Sequence, residues 1–90
     1  MISICYDSSV PMMRAEGHAG FAPFGEDIVC AGVSALLETL ALYADCREDG
    51  DVFELSGGDA RYYDFVAEGI LQISEIYPEN VIITYGDGDI

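Results

Sequence analysis

His18, the only histidine of the chain, precedes Cys30 by twelve residues. A glycine-rich segment surrounds His18, and a helical pattern begins after Asp27, which places Cys30 in the first helical turn. Unpaired backbone N–H groups and the positive end of the helix dipole favour a thiolate at that position. A histidine on a flexible loop could fold back and take the thiol proton, and such a pair suffices for acyl transfer. A structural histidine and a buried cysteine would also account for these two residues without any chemistry.

Asp27 has two possible roles beside this pair. Aspartate is a favourable N-cap, so Asp27 can begin the helix by accepting backbone N–H groups. It could also orient the His18 ring and stabilise its imidazolium form, although its charge opposes a thiolate three residues away. Backbone N–H groups near Cys30 would stabilise an oxyanion.

The loop between the two residues provides further candidates. Gly20, Phe21, Phe24 and Gly25 lie on it and are expected to form a substrate loop. Its aromatic side chains could act as a mobile lid or a pocket wall, or could simply cover the core.

The remaining cysteines give no sign of a metal site. Cys5, Cys30 and Cys46 match no zinc or disulfide spacing, and three thiols cannot all pair within one chain. Free thiols in a reducing compartment are expected, and no cofactor or metal is predicted. Cys5 alternates with apolar residues and is predicted to be a core residue, whereas Cys46 is predicted to be exposed.

Hydrophobic periodicity predicts the elements that must position these residues. We predict one α+β domain over residues 1–90, in the order ββαβαβ, with two helices packed on a sheet of about four strands. The predicted strands cover residues 2–6, 10–16, 52–56 and 81–85, and the predicted helices follow Asp27 and Asp59. Pro11 indicates that the second strand lies at a sheet edge or starts after this residue. The acidic residues 45–51 are predicted to be a polar connection.

Apolar stripes at three- and four-residue spacing define the buried face of each helix. The first stripe comprises Val29, Val33, Leu36, Leu37, Leu40 and Ala44, and the second comprises Tyr62, Val66, Ile70, Ile73 and Tyr77.

Composition limits the possible partners. The chain has 17 acidic residues, three arginines, no lysine and a formal net charge of −14. We expect no direct binding to nucleic acid, because phosphate contacts need more cations than three arginines supply. A basic protein partner fits this charge, although the charge could serve solubility alone.

The apolar content is 51%, which is high for 90 residues. Because a small domain cannot bury so much apolar surface, we expect a homodimer. The start of the chain has neither a basic segment nor a long apolar run, so we expect a cytoplasmic protein without a membrane span.

The segment from Gly17 to Leu36 resembles the signature of the ribosomal-processing cysteine protease family, Prp. The matching residues are Gly17-His18-Ala19, Gly20, Gly25 and the run Asp27-Ile28-Val29-Cys30-Ala31-Gly32-Val33-Ser34-Ala35-Leu36. This resemblance implies a small dimeric α+β enzyme that removes a short N-terminal extension from a large-subunit ribosomal protein. It also implies that His18 and Cys30 are the catalytic residues.

Two alternatives remain open from the sequence. The chain is shorter than the family pattern and lacks lysine, so the substrate could be another basic protein, such as a phage structural protein. The chain could also be a non-catalytic acidic adaptor that binds basic ribosomal or phage proteins, with Cys30 merely buried.

Overall fold

The computed structural model describes residues 1–18, 20, 22 and 27–86. Five strands and two helices follow in the order ββαββαβ. They are β1 (Ile2–Asp7), β2 (Met12–Glu16), α1 (Ile28–Ala41), β3 (Asp45–Asp49), β4 (Val52–Ser56), α2 (Ala60–Ile76) and β5 (Val81–Tyr85). Within these described ranges, neither helix is long and apolar enough to cross a bilayer.

The strands form one sheet in the order β3-β4-β2-β1-β5. Strands β1 and β5 are parallel, and the other neighbours are antiparallel. The predicted α+β class with two helices on one sheet is therefore confirmed. The sheet contains five strands, since the chain forms β3 in addition to the four that were predicted.

Strand β3 occupies the stretch that was predicted to be a polar connection. All five of its residues are exposed, and four of them are charged. It forms because Gly50 and Asp51 make a two-residue turn that pairs Asp49 with Val52. An edge strand of this kind depends on backbone hydrogen bonds to one neighbour, so it needs no apolar alternation.

The core lies on one face of the sheet. In β1, Ile2, Ile4 and Tyr6 are buried, and the register places Ala15 and Met13 of β2 beside the latter two. Side chains of both helices belong to the same buried cluster. Both helices therefore cover this face of the sheet, which leaves the amino end of α1 near the end of β2.

The buried stripe of α1 matches the prediction at Val29, Val33, Leu37 and Leu40. Leu36 is only partly buried, and Ala44 lies beyond the end of the helix. The stripe of α2 differs, since Tyr62 is 47% exposed and Tyr63 is fully buried instead. The buried residues of α2 are Tyr63, Val66, Ala67 and Ile70.

A partner in the sheet explains why Tyr63 is buried in place of Tyr62, while Val66 and Ile70 are buried as predicted. The ring of Tyr63 stacks on Tyr6 with centroids 6.1 Å apart, and its hydroxyl donates a hydrogen bond to the Gly57 carbonyl at 2.7 Å. The stack joins residues that are distant in sequence, and the hydrogen bond depends on the turn at Gly57. The spacing of apolar residues could therefore reveal neither contact.

Of the two alternatives predicted from Pro11, the second is found: β2 starts after Pro11, at Met12, and lies between β1 and β4 rather than at the sheet edge. The predicted burial of Cys5 in the core is corrected. Cys5 is only partly buried because it alternates with Ile4 and Tyr6 and therefore faces away from the helices.

Gly58 joins β4 to α2 at a point where the backbone is crowded. Its φ is +88°, and a Cβ there would lie 2.4 Å from the carbonyl oxygen of Tyr43. Gly50, in the β3–β4 turn, also has a positive φ, of +61°, but a Cβ there would meet nothing within 4 Å.

We expect Gly58→Ala to lower the free energy of unfolding by about 2–4 kcal/mol, because the variant adds a clash to the left-handed backbone. Gly50→Ala should lower it by only about 1–2 kcal/mol, because alanine is strained in the left-handed conformation but meets no clash there. Urea denaturation of both variants at 25 °C measures the difference. Equal losses would show that the contact with Tyr43 is unimportant.

Candidate active site

Cys30 lies in the first turn of α1, as predicted. Asp27 is the N-cap, and its Oδ1 accepts a hydrogen bond from the Cys30 N–H at 2.8 Å. Its Oδ2 accepts from the Ala22 N–H at 3.4 Å. The predicted capping geometry of Asp27 is therefore present, and it holds the backbone of Cys30 in place.

These bonds bear on which amides could stabilise an oxyanion. The Cys30 N–H is occupied by the Asp27 carboxylate, and the Ala31 N–H donates to the Asp27 carbonyl at 3.0 Å. The first-turn amides of Ile28 and Val29 precede them at this helix end. The amides of Ile28 and Val29 are therefore the first-turn candidates for donating to an oxyanion at the amino end of α1.

His18 lies two residues after the end of β2. The last residue of that strand, Glu16, pairs with Val52, and the next amide, of Gly17, donates to the Asp51 carbonyl at 3.4 Å. The β2–β4 ladder thus continues to the residue before His18. The side chain of His18 is exposed.

His18 and Cys30 line a common pocket of about 230 Å³. Its apolar lining comes from the sheet and α1, and its carboxylates come from β2, α1 and the β3–β4 hairpin. The apolar residues are Ile2, Ala15, Val33, Leu37, Val52 and Phe53, and the acidic residues are Glu16, Glu38, Glu48 and Asp51. The structure thus brings the predicted base and nucleophile together beside a groove with apolar walls and negative charge.

A second pocket adjoins the first, and His18 and Cys30 line it as well. Gly20, Ala22 and Asp27 contribute to this side. Of the predicted substrate loop, Gly20 therefore lies beside the candidate pair. Phe21, Phe24 and Gly25 lie outside the described residues, so their predicted role is untested.

A carboxylate that the sequence did not suggest lies beside His18. The Nε2 atom of His18 is 3.3 Å from Oδ1 of Asp51, within ion-pair distance. The sequence offered Asp27 as the carboxylate that orients the His18 ring. The contact is made instead by Asp51, from the turn between β3 and β4. The Gly50-Asp51 pair was a possible turn signal, yet its position opposite His18 requires the strand register.

The other two thiols differ from Cys30 in their surroundings. Cys46 is exposed on β3, as predicted, and Cys5 is partly buried on the opposite face of the sheet. Local desolvation, and then the nearby Glu48 carboxylate, raise the pKa of the Cys46 thiol. Neither thiol lines the two pockets that contain His18 and Cys30.

One protein family matches most of the chain. The family described as cysteine protease Prp matches residues 1–82. A search of curated proteins found no match.

Three solved structures share the fold. The first is an essential ribosomal processing protease Prp from S. aureus in complex with a covalently linked product peptide. Its sequence is 26% identical to this chain, and the TM-score is 0.81. The alignment covers 94% of this chain and 99% of that one. The same protease with a substrate peptide gives 24% identity, a TM-score of 0.72 and the same coverage. SMU.848 from Streptococcus mutans gives 24% identity and a TM-score of 0.64 over 93% of this chain and 90% of that one.

The match over residues 1–82 covers both His18 and Cys30. Together with the fold that it shares with the S. aureus protease, this match establishes that this chain belongs to the cysteine protease Prp family and is a cysteine protease.

Proposed function

We propose that this chain is an endopeptidase in which Cys30 is the nucleophile and His18 the general base. The observation that carries the proposal is the pocket that both side chains line at the amino end of α1. The partly buried sulfur lies where the helix dipole favours a thiolate, and the exposed imidazole lies where a substrate could reach it.

The mechanism follows from these positions. His18 takes the Cys30 proton, and the thiolate attacks a peptide carbonyl carbon to form a tetrahedral oxyanion. We assign the first-turn amides of Ile28 and Val29 to that oxyanion, because Asp27 occupies the amides of Cys30 and Ala31. The imidazolium then protonates the leaving amine, and water releases the acyl group from Cys30.

We further propose that the substrate is a basic protein, namely a large-subunit ribosomal protein that carries a short N-terminal extension. The net charge of −14 and the four pocket carboxylates would attract a cationic chain, and the apolar walls would accept its apolar side chains. The similar S. aureus protease is a ribosomal processing protease, with structures that contain a substrate and a product peptide. We place this activity in the cytoplasm, where ribosomes assemble and where three free thiols persist.

Homodimer formation is part of the same proposal. The side chains of Leu42, Tyr43, Tyr62 and Phe65 are exposed at one end of the helix pair, which we name the aromatic patch. The rings of Tyr43 and Tyr62 stack with centroids 4.7 Å apart, so the patch continues from the segment after α1 to the first turn of α2. We propose that a second copy covers it, since a 90-residue domain cannot bury this surface itself.

Incubation with a ribosomal protein extract tests the cleavage directly. We expect one large-subunit protein to lose a short N-terminal segment, as seen by mass spectrometry. Cys30→Ser should lower the cleavage rate by at least about 10³-fold because serine is not activated in this setting. Cys46→Ser, which removes an exposed thiol, should retain full activity. Binding without cleavage would favour the adaptor function instead.

Alkylation by iodoacetamide near neutral pH tests the pair without a substrate. Cys30 should react faster than Cys46, because the pKa of the more exposed Cys46 is raised. His18→Ala should slow the reaction at Cys30 and leave Cys46 unchanged. Peptide mapping at several times measures both rates. Equal rates at Cys30 with and without His18 would contradict the proposed base.

Sedimentation equilibrium tests the dimer. Phe65 is 80% exposed, so Phe65→Ser should leave the fold intact while weakening self-association by about tenfold or more. Ile82→Thr is the matched control, because it removes an exposed apolar side chain from β5. A monomeric wild type at micromolar concentration would refute the dimer.

A further inference from the structure

We propose that Asp51 is the positioning residue of His18, so that the site is a Cys30–His18–Asp51 triad rather than a pair. This inference rests on the proposed function, since it assigns a role through the His18 base. Asp51 would hold the imidazole in the orientation and tautomer that Cys30 requires, without contacting the substrate carbonyl.

The first support is the contact itself. The Nε2 atom of His18 and Oδ1 of Asp51 are 3.3 Å apart, and both residues line the pocket that contains Cys30. The Asp27 carboxylate, the other candidate, accepts the backbone N–H groups of Cys30 and Ala22. The two aspartates thus serve different parts of the site: Asp27 fixes the helix that carries the nucleophile, and Asp51 meets the ring of the base.

The second support is the backbone that places Asp51. The β2–β4 register pairs Glu16 with Val52, and the Gly17 N–H donates to the Asp51 carbonyl at 3.4 Å. Gly50, with φ of +61°, allows the two-residue turn that ends at Asp51. The sheet therefore positions Asp51 against the residue that precedes His18.

The chemistry follows from which ring nitrogen faces Asp51. Nε2 is the ring nitrogen nearest the Asp51 carboxylate. In the tautomer that carries its proton on Nε2, Nδ1 is the acceptor for the Cys30 proton. On transfer, the S–H bond breaks, both of its electrons stay on sulfur, and a new N–H bond forms at Nδ1. The proton on Nε2 stays on the ring, and the Asp51 carboxylate stabilises the imidazolium. Nδ1 later gives its proton to the leaving amine.

A positioning role and a simple charge effect predict opposite changes in the rate of Cys30 alkylation when Asp51 is replaced by asparagine. If Asp51 only added negative charge near Cys30, Asp51→Asn would favour the thiolate and speed alkylation. A positioning role predicts slower alkylation, because the base loses its orientation and its counter-charge. The two side chains are 70% and 71% exposed, so solvent screens the pair and the expected loss is about three- to tenfold.

Alkylation of Cys30 by iodoacetamide, followed by peptide mapping, is the test. We expect Asp51→Asn to slow the reaction about three- to tenfold, and Asp51→Glu to recover most of the rate by returning the carboxylate. Asp49→Asn is the matched control, since it removes the same charge from the same hairpin at a residue that does not line the pocket. Its rate should stay within about twofold of wild type.

The double variant His18→Ala with Asp51→Asn completes the test. Because Asp51 acts through His18, the double variant should react no more slowly than His18→Ala alone. Faster alkylation in Asp51→Asn, or no change while His18→Ala is slow, would overturn the positioning role and leave the proposed function standing. No effect of His18→Ala would overturn the proposed function and, with it, this inference.

Discussion

The packing of helix α1 on the sheet is the constraint on which the site depends. A 14-residue helix is marginal by itself in water, so α1 is held by its buried stripe. Val29 and Val33 flank Cys30 on that helix and are almost fully buried, and each such side chain contributes about 1.5–3 kcal/mol by leaving water. Cys30 cannot move without exposing them. The backbone of Cys30 is thereby held against the sheet whose strand β2 leads to His18.

Local patterns were sufficient to predict most of the fold. Strand β1 and helix α1 have strong periods of two and of three to four residues, and Asp27 and Asp59 cap the helices as expected. Strand β3 escaped prediction because its stability comes from the backbone ladder with β4. The burial of Tyr63 in place of Tyr62 escaped prediction because it depends on stacking with the ring of Tyr6 in β1. Both misses concern contacts between residues that are distant in sequence.

The same distinction holds for the candidate site. His18 and Cys30 could be found because each has a local signal: a unique histidine among glycines, and a cysteine three residues after a capping aspartate. Asp51 is different, since it follows His18 by 33 residues and approaches it only through the β2–β4 register. The sequence could show that Asp51 lay in a polar segment, but the pairing of strands decides which of its many carboxylates meets the imidazole.

Acyl transfer to the sulfur is the central claim, and a simple activated ester can test it. Brief exposure to p-nitrophenyl acetate, acid quenching and peptide mapping would show where an acetyl thioester forms. The account predicts acetylation first at Cys30, ahead of Cys5 and Cys46, with release by water on longer incubation and loss of the adduct in His18→Ala. Acetylation of Cys46 as fast as Cys30, or a thioester on Cys30 that forms equally well without His18, would contradict it.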